Sequence, residues 1–136
     1  MTGIAEGKNC INVEKIAIKE VTARIPYNDE GIQPMEEKII ENGPDAYFTK
    51  LPARKIVENL VKEKIPSEVS YSAGTYARNQ AFYYLIHKIK NENKTGGFIH
   101  LPITPNMVAQ IKTKKYASMS LEIMIKAMDI TLRLIT

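Results

Sequence analysis

The sequence is short of the residues that build metal sites and disulfides. It has one cysteine, Cys10, among 136 residues, so no internal disulfide can form. Two histidines and one cysteine do not make a zinc site. No apolar run approaches the roughly 20 residues that cross a bilayer. The start, MTGIAEGKN, lacks an apolar segment behind basic residues, which argues against a signal peptide and gives a cytoplasmic location by default. Repeats and low-complexity tracts are absent too. Charge of one sign is not in large excess: 19 basic against 15 acidic residues leave a net +4. The densest basic cluster, Lys112, Lys114 and Lys115, has only Tyr116 as an aromatic neighbour. No helix-turn-helix or RNA-binding sheet motif accompanies it, so the reading is an ordinary lysine-rich surface with no nucleic-acid and no membrane partner.

What is present is a globular composition, 44% apolar, in a length that fits one domain spanning 1–136. Glycine and proline punctuate it. Residues 3–10 read as loop. Residues 11–25, INVEKIAIKEVTARI, read as extended structure with some alternation. Residues 26–44 hold three prolines and two glycines and read as a long, partner-facing excursion. Helical spacing then places Ile56, Val57, Leu60, Val61 and Ile65 on one face of 51–66, with Pro52 at its start and Pro66 ending it. A short strand over 67–72 leads to a second helix over 75–90, with Tyr76, Ala77, Ala81, Tyr84, Leu85 and Lys88 on one side. A strand over 97–102, a helix start at 104–112 and a long helix over 120–135, capped by Ser120, complete the chain. Alternating strands and helices predict an α/β domain whose sheet is at least partly parallel.

Three segments hold polar residues where chemistry is often done. Glu14 follows a small-residue loop. His100 ends a short apolar strand before Pro102. The stretch SYSAGTYARN (70–79) is a strand-to-helix turn. Each also has a plain structural reading. Glu14 fits a surface strand, His100 fits a strand end, and Ser72 or Thr75 fits a helix N-cap.

Seven blocks taken in order carry more. GIAEGKNCINVEKIAI (3–18), ARIPYND (23–29), QP (33–34), GPDAYFTKLP (43–52), SYSAGTYARN (70–79), GGFIHLP (96–102) and SMSLE (118–122) resemble the pyroglutamyl-peptidase I family, also called pyrrolidone-carboxylate peptidase. The resemblance implies a mixed, partly parallel central sheet flanked by helices, an α/β/α sandwich of phosphorylase/hydrolase-like type. It also implies a cysteine exopeptidase that removes N-terminal pyroglutamate from peptides and needs no cofactor. Such chemistry wants a thiolate at a helix start, a histidine that moves its proton and a carboxylate that orients the histidine. By resemblance the acid is Glu14 and the histidine is His100. Tyr76 and Ala77 are pocket walls.

The nucleophile position of the resemblance, in the block SAGTY-x-Cys-Asn, holds Arg78 here. A guanidinium stays protonated and offers no nucleophilic lone pair. Little or no activity is therefore expected. A cation near a helix N-terminus also calls for an anionic partner, and Glu14 is the expected one. Cys10, away from a helix start, is a poor substitute. Glu6 and Lys8 stand where the family has a glycine-richer loop with an arginine, and Thr22 and Tyr27 replace its acidic residues near ARIP. Family members also carry a stretch ahead of this region that supplies the first strands. The expectation is thus a sheet lacking those strands, with an exposed edge and apolar face. That suits a homo-oligomer, or a non-catalytic subunit partnering an active paralogue or the missing segment. Pyroglutamyl peptides are the expected ligands of any residual activity.

Overall fold

The computed structural model describes residues 1–26 and 30–136, so the Tyr27 comparison and the last three residues of the ARIPYND block lie outside it. The strands are β1 (Thr2–Ile4), β2 (Ile11–Glu14), β3 (Ile16–Ile18), β4 (Glu20–Val21), β5 (Glu37–Lys38), β6 (Ala46–Phe48), β7 (Ser67–Ser70) and β8 (Ile99–Leu101). The helices are α1 (Ala53–Lys62), α2 (Ala77–Ile89), α3 (Pro105–Gln110) and α4 (Leu121–Ile135).

The central sheet runs β1-β8-β2-β7. It is mixed: β1 pairs parallel with β8, β2 pairs parallel with β7, and β2 meets β8 antiparallel. Every residue of β2 is buried, as expected of a strand covered on both faces. The extended run after Ile11 does not stay in one sheet. It breaks at Lys15 and Lys19, and β3 and β4 leave to pair with β6 and β5.

Alternation along the strands sorts the side chains into two layers. Ile11, Val13 and Ile99 face α1 and α4, where they join Ile56, Leu60, Met124 and Ala127 in one core. A second core gathers Ala17 and Val21 with Phe82, Tyr83, Ile86 and Phe98 under α2. At about 1.5–3 kcal/mol for each fully buried large side chain, these layers fix the helices on either side of the sheet. The result is the α/β/α arrangement expected from sequence.

Three expectations need correction. Residues 3–10 are not all loop: β1 forms there because its backbone extends the sheet, even though two of its three residues are exposed. The inward face of α2 is Asn79, Phe82, Tyr83, Ile86 and Ile89, not the Tyr76–Lys88 face, which leaves Ala77, Tyr84 and Lys88 exposed. Neither Ser72 nor Thr75 caps α2. Its N-cap is Tyr76, whose side chain makes no capping hydrogen bond, while the Thr75 hydroxyl donates to the Thr22 carbonyl (3.0 Å). Ser120 does cap α4, accepting from the Ile123 N–H. No helix among the described residues is long and apolar enough to cross a membrane.

Candidate active site

Glu14 ends β2, and His100 is the middle residue of β8. Their strands are neighbours, with Asn12 opposite His100. Glu14 lies two residues beyond Asn12, so both side chains emerge on one face as a diagonal pair. Glu14 is 1% and His100 5% exposed. His100 Nδ1 and Glu14 Oε1 are 2.7 Å apart. A carboxylate at that distance fixes the ring with Nδ1–H as donor. The Phe98 ring, 4.9 Å from the imidazole by centroids, packs against it. His100 Nε2 and Glu14 Oε2 are buried with no hydrogen-bond partner among the described residues. The carboxylate and the imidazole are thus joined by one buried hydrogen bond, with Nε2 unengaged among the described residues.

This pair lines a cleft of about 410 Å³ together with Lys8, Ser72, Gly74 and Arg78. Gly74 has φ +80°, a turn conformation that a side chain disfavours. The turn brings α2 to the cleft, and Arg78 is its second residue. Arg78 is exposed, and its stem runs close to Gly3 of β1: a Cβ built there would lie 3.6 Å from Arg78 Cδ.

The expected Arg78–Glu14 salt bridge is not formed. Glu14 is engaged by His100 instead, and among the described residues Arg78 has no ion-pair partner. The physical reason is position: Glu14 is buried beside His100, whereas Arg78 is exposed at the rim of the cleft, and Oε2 stays without a partner among the described residues.

Tyr76 and Ala77 fall elsewhere. They line a second, larger cleft of about 640 Å³ on the other side of the turn, with Thr22, Arg24 and Ile25. Arg78, Ala73 and Gly74 border both clefts. Cys10 lines neither. Its Sγ lies 4.0 Å from Asn12 Nδ2, and burial, helped by the charge of Glu68, pushes its thiol above the ordinary value. A thiol held protonated is a poor nucleophile. Ser72 is the hydroxyl in the first cleft, and its Oγ accepts from the Gly74 N–H at 3.2 Å. Among the described residues no group of three or more His, Cys, Asp and Glu side chains is placed to hold a metal.

Sequence reasoning passed over Ile4 and Ser72 as cleft residues. Ile4 belonged to a segment read as loop, and Ser72 was taken for a cap. In the basic 112–115 cluster, Lys115 donates to the carbonyls of Val108 and Ile111 and Lys114 lies over the Tyr116 ring, so two of its three charges have local structural work.

The sequence pattern of the family described as pyroglutamyl peptidase matches residues 1–136, the whole chain. The chain belongs to the pyroglutamyl peptidase family. A pyrrolidone-carboxylate peptidase of Coprothermobacter proteolyticus is 42% identical over 136 residues, covering 98% of this chain and 64% of the relative. One from Bacillus velezensis is 45% identical over 130 residues, covering 94% of this chain and 59% of the relative. Among solved structures, the pyrrolidone carboxyl peptidase of Thermococcus litoralis superposes with a TM-score of 0.90 at 40% identity, covering 98% of this chain and 63% of that one. A single-residue mutant of the Pyrococcus furiosus enzyme gives 0.91 at 34%, covering 98% and 66%. The chain thus spans somewhat less than two thirds of the length of the relatives it matches. The mixed sheet with helices on both faces is the fold of those peptidases.

Proposed function

We propose that this chain carries the acid and histidine of a pyroglutamyl-peptidase centre without its nucleophile, and has little or no hydrolytic activity of its own. The observation that carries the reading is the buried Glu14–His100 pair, with Nε2 unengaged, lining a cleft that contains Arg78 and no cysteine. By resemblance Arg78 stands where the family's cysteine attacks the pyroglutamyl carbonyl. Losing the nucleophile from such a triad costs on the order of 10⁶ in rate. Cys10 does not compensate, since it lies outside the cleft with a raised thiol pKa.

The test is release of a chromophore from a pyroglutamyl anilide by three proteins: this chain, Arg78→Cys and Ser72→Ala. The expected result is background turnover by the chain and by Ser72→Ala, and turnover sensitive to thiol reagents from Arg78→Cys. Hydrolysis by the unaltered chain sinks the reading, and its loss in Ser72→Ala would name the serine as the nucleophile in use. An inert Arg78→Cys would move the defect from residue 78 to the part of the relatives' fold that this chain does not span.

An apolar groove favours a second reading, a non-catalytic subunit that associates with itself. The groove, about 390 Å³, runs between α4 and the β1 edge of the sheet, with Ile4, Leu121, Ile125 and Leu132 on its walls.

A further inference from the structure

The N-terminal end of α2 holds a positive charge that no acidic side chain pairs with among the described residues. Arg78 is the second residue of a 13-residue helix whose N-cap, Tyr76, makes no side-chain cap bond. The free N–H groups of that end add their own positive potential. Lys8, on the opposite wall of the same cleft, also has no ion-pair partner among the described residues. The cleft has two acids. Glu14 gives Oε1 to His100, and Glu6 is exposed and pairs with neither cation. Between these charges lies His100, buried, lining the cleft and unpartnered at Nε2. Two cations without ion-pair partners among the described residues, beside a helix N-terminus, are the parts of an anion site, and the buried ring nitrogen offers an acceptor to a donor on the same ligand.

We propose that the cleft binds a small free carboxylic acid as its carboxylate, and selects it over the corresponding amide. The inference rests on the reading that Arg78 stands in place of a nucleophile. A peptidase presents its nucleophile to a neutral amide carbonyl. With a guanidinium at that position, the group that fits best carries a full charge and two equivalent oxygens. The planar fork of Arg78 can take both oxygens of a carboxylate, with Lys8 adding a point charge. His100 Nε2, an acceptor while Nδ1–H serves Glu14, is left for an N–H or O–H of the same ligand. An amide meets the same cations with one oxygen and two N–H groups, so it forfeits a charged hydrogen bond and gains a repulsion. The cleft volume lies in the range of small-molecule sites.

The experiment is a calorimetric titration of the 136-residue chain with 5-oxoproline, with 5-oxoprolinamide and with acetate. The acid is expected to bind at least about tenfold more tightly than the amide, the worth of one hydrogen bond to a charged group. Its affinity is expected to fall as salt rises. Acetate is expected to bind more weakly than 5-oxoproline but to compete with it. Arg78→Gln, at an exposed position where folding is checked by circular dichroism, is expected to erase the acid-over-amide preference. Equal affinities for acid and amide, or a preference unchanged in Arg78→Gln, or no binding of the acid at millimolar concentration, would each overturn the proposal. The anilide assay run beside it keeps the two readings apart. Turnover with the acid preference intact removes the nucleophile-deficient reading and leaves the carboxylate site standing. Absent turnover with no acid preference does the opposite.

Discussion

A buried carboxylate with one oxygen unbonded is a costly residue to keep. Glu14 and His100 satisfy each other through one hydrogen bond and leave Oε2 and Nε2 without partners among the described residues. Each unsatisfied buried polar atom costs about 1–3 kcal/mol. A pair of this kind belongs to a site, not to the stability of the fold. The prediction is a non-additive cycle. His100→Leu alone strands the Glu14 carboxylate and is expected to destabilise by about 3 kcal/mol. Adding Glu14→Leu is expected to restore the original stability or exceed it, because two apolar side chains then fill the same dry space. Urea unfolding of the two singles and the double measures this. If the double loses the sum of the singles, the pair is a structural brace and its place in the cleft is incidental.

At the scale of elements, the turn at 70–79 is held by a bracket made by one residue. Asn79 is buried on the inner face of α2. Its Oδ1 accepts from the Ile18 N–H (2.9 Å), and its Nδ2 donates to the carbonyls of Ile18 (2.9 Å) and Glu20 (3.1 Å). It ties α2 to the gap between β3 and β4, where the chain has left the central sheet and its backbone groups need partners. Asn79→Ala is expected to destabilise by about 2–4 kcal/mol, by leaving those groups buried and unbonded. It should also speed hydrogen exchange at the Ile18 amide, while an exposed change in the same helix such as Lys88→Ala should do neither. An unchanged urea midpoint would show that water replaces the bracket at no cost. This bracket also marks how far the sequence could be read. Strands and helices with strong periodicity, α1 and α4 above all, are legible because their apolar residues recur at helical spacing between prolines or after a serine cap. β1 is not, because a three-residue edge strand owes its form to a partner 97 residues away in sequence, Thr2 facing Ile99. The face of α2 is not legible either, since aromatic residues occur on both sides and the buried position includes an asparagine. At the site, Glu14 and His100 could be named from their blocks. The bond between them depends on strand register, and the absence of an Arg78–Glu14 bridge depends on Glu14 being buried while Arg78 is exposed.

For the whole molecule, α4 poses the open question of covering. Met124, Ala127 and Thr131 are buried under it, yet Leu121 (61% exposed), Ile125 (61%) and Leu132 (57%) face outward. A helix apolar on two sides suits an interior, not a surface. The groove these residues form is continuous with β1, an edge strand of the central sheet, through Ile4. A sheet edge beside an apolar face is a template for association. Docking two copies across this face would bury three large side chains from each. Burial of that apolar area favours association against the free motion it costs. Sedimentation velocity of the chain is therefore expected to show a concentration-dependent monomer–dimer equilibrium. Leu121→Lys with Ile125→Lys is expected to shift it fully to monomer without loss of helix signal, because both positions are exposed and each lysine would have to be desolvated in the dimer. Raising salt is expected to leave the unaltered dimer intact, since apolar burial is not screened. A monomer at every concentration, or a dimer indifferent to the two lysines, would mean that copies of this chain do not cover the groove.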